Sequence, residues 1–266
     1  AKDVGYLRKY ATVLPMSGDT LKIPKIASKP SVSWVTENGV IGTSEPSFGI
    51  LTLTAKKAGI IVPVTQELFK DSKVPVDTLL AKLFAEAFAE AEDTQGFTGD
   101  GTVFTGVLNA SGVNTVTMGA GDTAFTNVTA DDLINLIAAV PSKVANKSMF
   151  VMHRTVFAYI KTLKDGSGNY LFSPADKTIW GYPVLTLDVM PSLSDSAADT
   201  PFIIFGDISY IYMGDREQLS VAIADQAVVG GQSMFERFSL AIRAVERVAI
   251  GIAMDNAFAV LKTAAA

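Results

Sequence analysis

The clearest secondary-structure signal in this chain is the segment Val76-Asp77-Thr78-Leu79-Leu80-Ala81-Lys82-Leu83-Phe84-Ala85-Glu86-Ala87-Phe88-Ala89-Glu90-Ala91. Its apolar residues recur at the i, i+3, i+4, i+7 spacing of one helix face: Val76, Leu79, Leu80, Leu83, Phe84, Ala87, Phe88 and Ala91. Pro75 stands where a first-turn proline is favoured. We therefore predict a long amphipathic helix over residues 76–91, with Glu86, Glu90 and Asp93 on another face.

Upstream of this helix, residues 20–60 have the pattern of a long β-hairpin. Polar and apolar residues alternate over Ser31–Val35 and within Gly49–Ala55, and turn-forming residues lie between them. Two strands alone are marginally stable in water, and the local sequence offers no third strand. We expect a neighbouring subunit to support the hairpin, with Trp34 as the anchor because aromatic side chains dominate interfaces.

Residues 1–20 are expected to form an extended arm, since Pro15 and Gly18 interrupt any helix. Residues 1–30 carry six basic and two acidic side chains, whereas residues 67–100 carry three basic and eight acidic ones. We predict that Arg8 and Lys9 lie near Glu86, Glu90 or Asp93 of the same or an adjacent chain. Charge pairs alone cannot order an arm, so further residues must bury against a subunit: Tyr6, Leu7, Tyr10 and Val13.

The rest of the chain mixes helices with mostly antiparallel strands, which predicts the α+β class. The expected elements are a glycine-rich stretch at 96–125, a helix at 129–140, a strand at 149–153, a helix at 155–164 and long strands over 234–262. Thr129 and Asp132 resemble a capping box at the start of the second helix, and Pro141 ends it.

Composition limits the possible functions. Hydrophobic residues make up 48% and charged residues 18% of the 266 residues, against about 25% charged in typical domains. A membrane span is not expected, because Asp255 and Asn256 interrupt the most apolar late stretch. The excess apolar surface therefore favours contacts between subunits. A net charge of −5 argues against tight, sequence-independent DNA binding.

Residues for catalysis or metal binding are scarce. The chain has no cysteine, so thiolate nucleophiles and cysteine-bound zinc are excluded. The single histidine, His153, ends an apolar run and is predicted to be structural. No carboxylates stand at the spacing of metal ligands. We expect no cofactor and no catalytic residue.

Several short motifs follow one another in a fixed order. They are Trp34–Glu37, Val62–Leu68 with Asp71-Ser72, Glu92-Asp93 with Gly99–Thr102 and Gly106–Leu108, Lys164–Leu171, Trp180–Val184, Met190-Pro191, and Phe205–Asp207 with Asp215-Arg216. In this order they resemble the tailed-bacteriophage major capsid protein family, whose fold is shared with herpesvirus shells and encapsulins. The resemblance covers nearly the whole chain.

The resemblance implies five segments: an N-terminal arm at 1–20, an extended β-hairpin loop at 21–60, a peripheral domain with a spine helix at 61–126, an axial domain at 127–230, and return strands of the peripheral domain at 231–266. It implies a homo-oligomer of pentamers and hexamers in a virion that encloses double-stranded DNA. A scaffolding segment or protein and a portal would take part in assembly, in the host cytoplasm. The resulting assembly interface comprises Arg8, Lys9, Trp34, Val35, Glu37, Glu86, Glu90 and Asp93.

Two features bear on processing and covalent chemistry in this family. Some members join subunits by a Lys–Asn isopeptide bond. Here Thr36–Glu45 has no lysine and Phe235–Val245 has no asparagine, so we expect no such cross-link. The sequence begins at Ala1 without methionine, which fits removal of an upstream scaffolding segment by a protease and equally fits simple methionine removal.

Three alternatives stay open at this point. An encapsulin-type compartment would share the fold, but encapsulins usually begin with a helix, whereas residues 1–20 look extended. Gly119–Phe125 resembles the anion hole of ribokinase-like sugar kinases, with Asp122 as base. No helix follows it at once, which argues against that enzyme. A tail or decoration protein is disfavoured because those seldom have a long amphipathic helix after a hairpin.

Overall fold

A computed structural model describes residues 5–28, 32, 34, 35, 43, 45, 47–71, 76–173 and 176–265. The helices are α1 Tyr6–Tyr10, α2 Gln66–Asp71, α3 Val76–Phe97, α4 Ala130–Ala138, α5 Ser142–Ala145 and α6 Arg154–Ile160. The strands are β1 Thr12–Pro15, β2 Thr20–Ser28, β3 Ser47–Thr54, β4 Lys56–Thr65, β5 Asn114–Thr117, β6 Met149–Met152, β7 Thr178–Ile179, β8 Tyr182–Thr186, β9 Pro201–Gly206, β10 Ile211–Ala224, β11 Val228–Val229, β12 Gln232–Ser233, β13 Ser239–Ile252 and β14 Phe258–Lys262.

The strands form two main sheets, which confirms the predicted α+β class. One sheet has four strands in the order β1-β10-β13-β4, and the other has six in the order β5-β14-β9-β6-β8-β7. Two further pairs, β2-β3 and β11-β12, are separate hairpins. The strands of residues 231–266 divide between the sheets, because β13 lies in the four-stranded sheet and β14 in the six-stranded one.

The largest hydrophobic core surrounds the six-stranded sheet. Strand β9 is apolar on both faces, and its residues Phe202–Phe205 are almost fully buried. Helix α4 packs on the sheet and begins with the predicted capping box of Thr129 and Asp132. His153 has the structural role predicted for it, since its side chain caps α6 by accepting a hydrogen bond from the backbone N–H of Thr155.

Helix α3 confirms the predicted long helix and extends it six residues further, to Phe97. Phe84 and Phe88 pack on the four-stranded sheet against a buried cluster that includes Val64 and Ile242, and each such burial contributes about 1.5–3 kcal/mol. Leu79 and Leu83 from the predicted stripe are instead 50% and 49% exposed. The reason is geometric: a sheet packed on one side of a helix covers only part of the helix circumference.

The N-terminal segment corrects the prediction of an extended arm. Residues 6–10 form the short helix α1, and β1 pairs in parallel with β10, with Thr12 opposite Tyr212. Leu7 is fully buried and belongs to the main core of its own chain. Helix α1 forms because a distant carboxylate binds its first N–H groups, as described below, and local sequence patterns cannot reveal such a cap.

The hairpin is present, but its first strand lies earlier than predicted. Strand β2 pairs with β3 in antiparallel register, from Thr20 opposite Thr54 onwards. Val32, Trp34 and Val35, in the predicted first strand, are in no strand. Residues 56–60, predicted at the hairpin base, belong to β4 of the four-stranded sheet.

The base of this hairpin is covered by its own chain. Leu53 is 1% exposed and lies in a buried cluster with Met16 and Ala249. Strand β13, about 200 residues further along the chain, therefore provides the support that the local sequence lacks. A neighbouring subunit is not needed to support the base.

Candidate functional site

The N-terminal segment is held on α3 by the carboxylate of Asp93. Its Oδ2 accepts hydrogen bonds from the backbone N–H groups of Gly5 at 2.8 Å and Tyr6 at 3.2 Å, and its Oδ1 accepts one from Leu7 at 2.8 Å. These N–H groups begin helix α1, where no bond within the helix can satisfy them. A side chain from a different helix therefore performs the N-cap role.

Beside Asp93, three carboxylates surround the guanidinium of Arg8. Glu92 binds it with both oxygens, at 2.7 Å from Nε and 2.6 Å from Nη2. The Oδ2 of Asp215 lies 3.3 Å from Nη1, and the Oε2 of Glu246 lies 4.0 Å from Nη2. Arg8 thus joins the N-terminal segment to α3 and to both central strands of the four-stranded sheet.

This group, the Arg8 cluster, contains Arg8, Glu92, Asp215 and Glu246. Glu92 and Glu246 are 4% and 3% exposed, so these two carboxylates have little access to water, whereas the side chain of Arg8 is 36% exposed. Two carboxylate oxygens, Oδ1 of Asp215 and Oε1 of Glu246, are buried and accept no hydrogen bond from the described part of the chain. Three carboxylates and one guanidinium would carry two uncompensated negative charges if all were ionised, which is costly in a buried site.

The pKa values follow from this excess of carboxylates. Burial raises the pKa of Glu246 to about 7, and the negative charges of Glu92 and Asp215 add to this rise while Arg8 opposes it. Burial also raises the pKa of Glu92, although the hydrogen bonds and charge of Arg8 lower it in part. The cluster therefore binds a proton more readily than separate carboxylates would, and Glu246 is protonated in part near neutral pH.

The same reasoning applies to Asp93 and Arg8. Burial raises the pKa of Asp93, and the three backbone N–H groups hold it down in part. Burial alone would lower the pKa of Arg8, but its bonds with Glu92 and Asp215 outweigh that effect and raise it. Arg8 therefore stays charged at every pH at which the protein is folded.

The structure brings together only some of the residues predicted at this contact. Arg8 binds α3 in the same chain, but through Glu92 rather than through Glu86 or Glu90. Asp93 takes part through the backbone of the N-terminal segment and not through Arg8. Lys9 points elsewhere, with its Nζ 5.3 Å from the centre of the Tyr10 ring.

Glu92, Asp215 and Glu246 were not predicted as partners of Arg8. Glu246 had one signal in the sequence, since it is an acidic residue within a long apolar strand, Ser239–Ile252. A charge at such a position is seldom buried without a partner. Its partner lies 238 positions away in the sequence, and nothing in the local pattern identifies it.

The predicted hairpin residues are partly described. Trp34 is 97% exposed and Val35 is 47% exposed, so the described residues leave Trp34 uncovered and cover Val35 only in part. Glu37 lies outside the described residues. Their role in an interface stays a prediction.

The loop Gly119–Phe125 begins at the surface, with Gly119–Gly121 exposed, and ends at a buried side chain, that of Phe125. The N–H groups of Asp122 and Thr123 donate to carbonyl oxygens within the loop, and that of Phe125 donates to Ser196 Oγ at 2.8 Å. Phe125 is fully buried, and the next α-helix begins only at Ala130. Three of the N–H groups that could bind a phosphate, those of Asp122, Thr123 and Phe125, are therefore already hydrogen-bonded within the protein. Separately, no helix within the described ranges is long and apolar enough to cross a membrane.

Comparison with known sequences identifies a family. The chain matches the phage capsid family over residues 1–263. It is 26% identical over 259 residues to the major capsid protein of Staphylococcus phage 80alpha, covering 93% of this chain and 76% of that protein. It is 25% identical over 225 residues to the major capsid protein of Klebsiella oxytoca phage phiKO2, covering 82% of this chain and 52%, about half, of that relative.

Solved structures share the fold. The capsid of a native GTA particle superposes with a TM-score of 0.85 at 24% identity, covering all of this chain and 92% of the other. A structure from Microbacterium phage Oxtober96 gives a TM-score of 0.79 at 21% identity, covering 99% of this chain and 92% of the other. The sequence match extends over both sheets, the hairpin and the N-terminal segment. The chain therefore belongs to the phage capsid family and is a structural protein of the phage shell.

Proposed function

We propose that this chain self-assembles into the pentamers and hexamers of an icosahedral shell that encloses double-stranded DNA. A scaffolding segment or protein and a portal would guide assembly in the host cytoplasm, and no catalytic step is involved. The observation that carries the proposal is Trp34, which is 97% exposed in the segment between β2 and β3, next to a hairpin whose base is packed on the body. A solvent-exposed tryptophan on a folded subunit is typical of a residue that anchors an interface.

Other exposed apolar side chains support this proposal. Large hydrophobic residues that are about half exposed or more include Ile50, Ile61, Leu79, Leu83, Val221, Ile223 and Phe235. They lie on the hairpin, on α3, on strands β4 and β10 of the four-stranded sheet, and, for Phe235, in the turn between β12 and β13. Contacts with several neighbours would cover them, as a closed shell requires.

The charge distribution supports enclosure of DNA rather than tight binding. The net charge is −5, so the chain as a whole does not attract the phosphate backbone. A weakly repulsive wall leaves packaged DNA free to slide. Shells from infected cells should therefore protect DNA from nuclease without any preference for sequence.

The decisive experiment is electron microscopy of the purified chain with Trp34→Ala and Trp34→Phe variants. We expect the wild type to form uniform closed shells. Trp34→Ala should lower the yield of shells at least about tenfold, the size expected for a buried anchor of about 2 kcal/mol, while Trp34→Phe retains most of it.

The far-ultraviolet circular dichroism and the melting temperature of unassembled subunits should be the same for all three proteins, because Trp34 contributes nothing to the folded body. Normal shell yields from Trp34→Ala would show that the hairpin tip is not an anchor. A small monodisperse species from the wild type, in every buffer tested, would contradict the shell function itself.

A further inference from the structure

The hairpin joins the body through a close contact at a glycine. Leu51 and Leu53 of β3 lie over Gly251 of β13, where a Cβ atom would stand 2.6 Å from Leu53 Cδ2 and 3.3 Å from Leu51 Cδ1. The contact is apolar, and Leu53 is also held in the buried cluster with Met16 and Ala249. The hairpin can turn about such a contact without breaking a hydrogen bond of its own ladder.

A second contact lies further out along the hairpin. Nζ of Lys25 on β2 lies 3.2 Å from Oδ2 of Asp255, in the short turn that follows β13. Lys25 stands opposite Gly49 in the β2-β3 ladder, and a Cβ at Gly49 would lie 3.2 Å from Lys25 Cγ. The side chain of Lys25 therefore passes over Gly49 of the neighbouring strand and contacts Asp255 in the body.

Asp255 is itself held close to the body. A Cβ atom at Gly112 would lie 2.8 Å from Asp255 Cγ, so the carboxylate rests directly on the backbone of the loop before β5. The two charged groups therefore connect the hairpin to the turn between β13 and β14, next to the loop before β5.

A cleft separates the hairpin from the body around this ion pair. Its volume is about 500 Å³, and its walls are Leu51 and Thr52 on the hairpin and Val103, Phe104 and Ser111 on the loop of residues 101–112. Both charged side chains are little more than one-third exposed. The hairpin has room to move towards the body or away from it, and among the described residues the Lys25–Asp255 pair is the ion pair that spans this cleft.

We propose that the Lys25–Asp255 ion pair is a latch that sets the angle at which the hairpin leaves the body, with the Leu51–Leu53 contact on Gly251 as the pivot. The proposal rests on the shell function proposed above, because it makes this angle the quantity that neighbouring subunits require. A partly exposed ion pair shifts an equilibrium by only roughly two- to fivefold. The latch therefore biases the hairpin towards one angle and still lets assembly adjust it.

The angle can be measured directly, because the chain has no cysteine. Spin labels on Ile50→Cys, in the hairpin, and Ser111→Cys, in the body, report the width of the cleft by pulsed electron resonance on unassembled subunits. Both positions are exposed. We expect Lys25→Asp to broaden the distance distribution and to enlarge its long-distance fraction by roughly two- to fivefold, as should high salt in the wild type.

The controls separate a latch from general damage. The double variant Lys25→Asp with Asp255→Lys restores the ion pair in reverse and should narrow the distribution again. Asp255→Asn, which keeps the shape of the side chain, should broaden it as Lys25→Asp does. Lys22→Asp changes a lysine on the same strand that forms no ion pair within the described residues and should leave the distribution unchanged.

Assembly of the same variants gives the second measurement. Lys25→Asp should yield shells of mixed diameter or open sheets in electron micrographs, and the double variant should return to uniform shells. A distribution of distances for Lys25→Asp equal to that of Lys22→Asp, or no recovery in the double variant, would overturn the latch. A changed distance with uniform shells would overturn its role in assembly.

Failure of the shell function would be distinguishable from these outcomes. In that case the wild type would form no shells under any condition, while the distance measurement on single subunits would still decide whether the ion pair sets the angle.

Discussion

Replacing Asp93 by alanine should release the N-terminal segment from the body. The substitution leaves the N–H groups of Gly5, Tyr6 and Leu7 without their acceptor, at distances that are now 2.8, 3.2 and 2.8 Å. Hydrogen bonds to a charged group contribute about 1.5–3 kcal/mol each, and losses at one site are smaller than the sum. We expect the free energy of opening the segment to fall by about 3 kcal/mol, which is roughly a 150-fold larger open population.

Trypsin offers a direct assay of this opening. The protease cuts after lysine and arginine, and both Arg8 and Lys9 lie in helix α1, where a closed segment resists cleavage. When opening is fast relative to cutting, the cleavage rate follows the open population. Intact-mass spectrometry of unassembled subunits should therefore show loss of residues 1–8 or 1–9 about 100-fold faster in Asp93→Ala than in the wild type.

The matched control is Glu86→Ala, in the same helix. Glu86 was predicted from the sequence to hold the segment, but Asp93 and Glu92 hold it in the structure, so this variant should be cut at the wild-type rate. If Asp93→Ala is cut within about threefold of the wild type, the three hydrogen bonds do not anchor the segment. If Glu86→Ala is cut as fast as Asp93→Ala, the effect belongs to the helix as a whole.

Three further outcomes are expected. The pKa of Glu246 is about 7 in the folded chain against an ordinary 4.5, so protonated Glu246 stabilises the fold fully below pH 4.5, and this stability is lost as pH rises through 7. The variant Glu246→Gln lacks this titration, so its urea midpoint should fall less than that of the wild type between about pH 5.5 and pH 8. An equal fall in both proteins would contradict this. A Cβ atom added at Gly106 would lie 2.4 Å from the Gly99 nitrogen and 2.7 Å from a backbone carbon, whereas a Cβ atom added at Gly166 would have no atom within 4 Å. Gly106→Ala should therefore destabilise the subunit by about 3 kcal/mol or more in thermal unfolding. Gly166→Ala should have the melting temperature of the wild type. Asp122→Asn should leave assembly unchanged, and phosphorylation of any sugar by the wild type, lost in this variant, would show a kinase after all.

The prediction of the spine helix succeeded because its evidence is local. The spacing of apolar side chains over Val76–Ala91 and the proline before it are properties of neighbouring residues, and α3 follows them. The capping box at Thr129 is also local and is present. The sequence pattern could not predict which residues of the apolar stripe are buried. Phe84 and Phe88 are buried, whereas Leu79 and Leu83 are half exposed, because burial depends on where the sheet lies.

The N-terminal segment shows the opposite case. Its local sequence favours an extended chain, and a carboxylate 86 to 88 residues away turns part of it into a helix. The attraction between a basic segment and an acidic helix could be inferred from charge alone, because opposite charges attract in any fold. The choice of Glu92 over Glu86 could not, because it depends on which side of α3 faces the segment.

The sequence by itself thus determined the class of fold, its longest helix, the family and the sign of the charge contact. The tertiary structure alone decided the partners of Arg8, the raised pKa of Glu246, the short helix α1 and the cleft crossed by Lys25 and Asp255. Periodicity and caps are set by residues within a few positions of one another. Burial and ion pairing are set by segments that meet only when the chain is folded, so one surrounding carboxylate can come from α3 and two from strands more than 100 residues later.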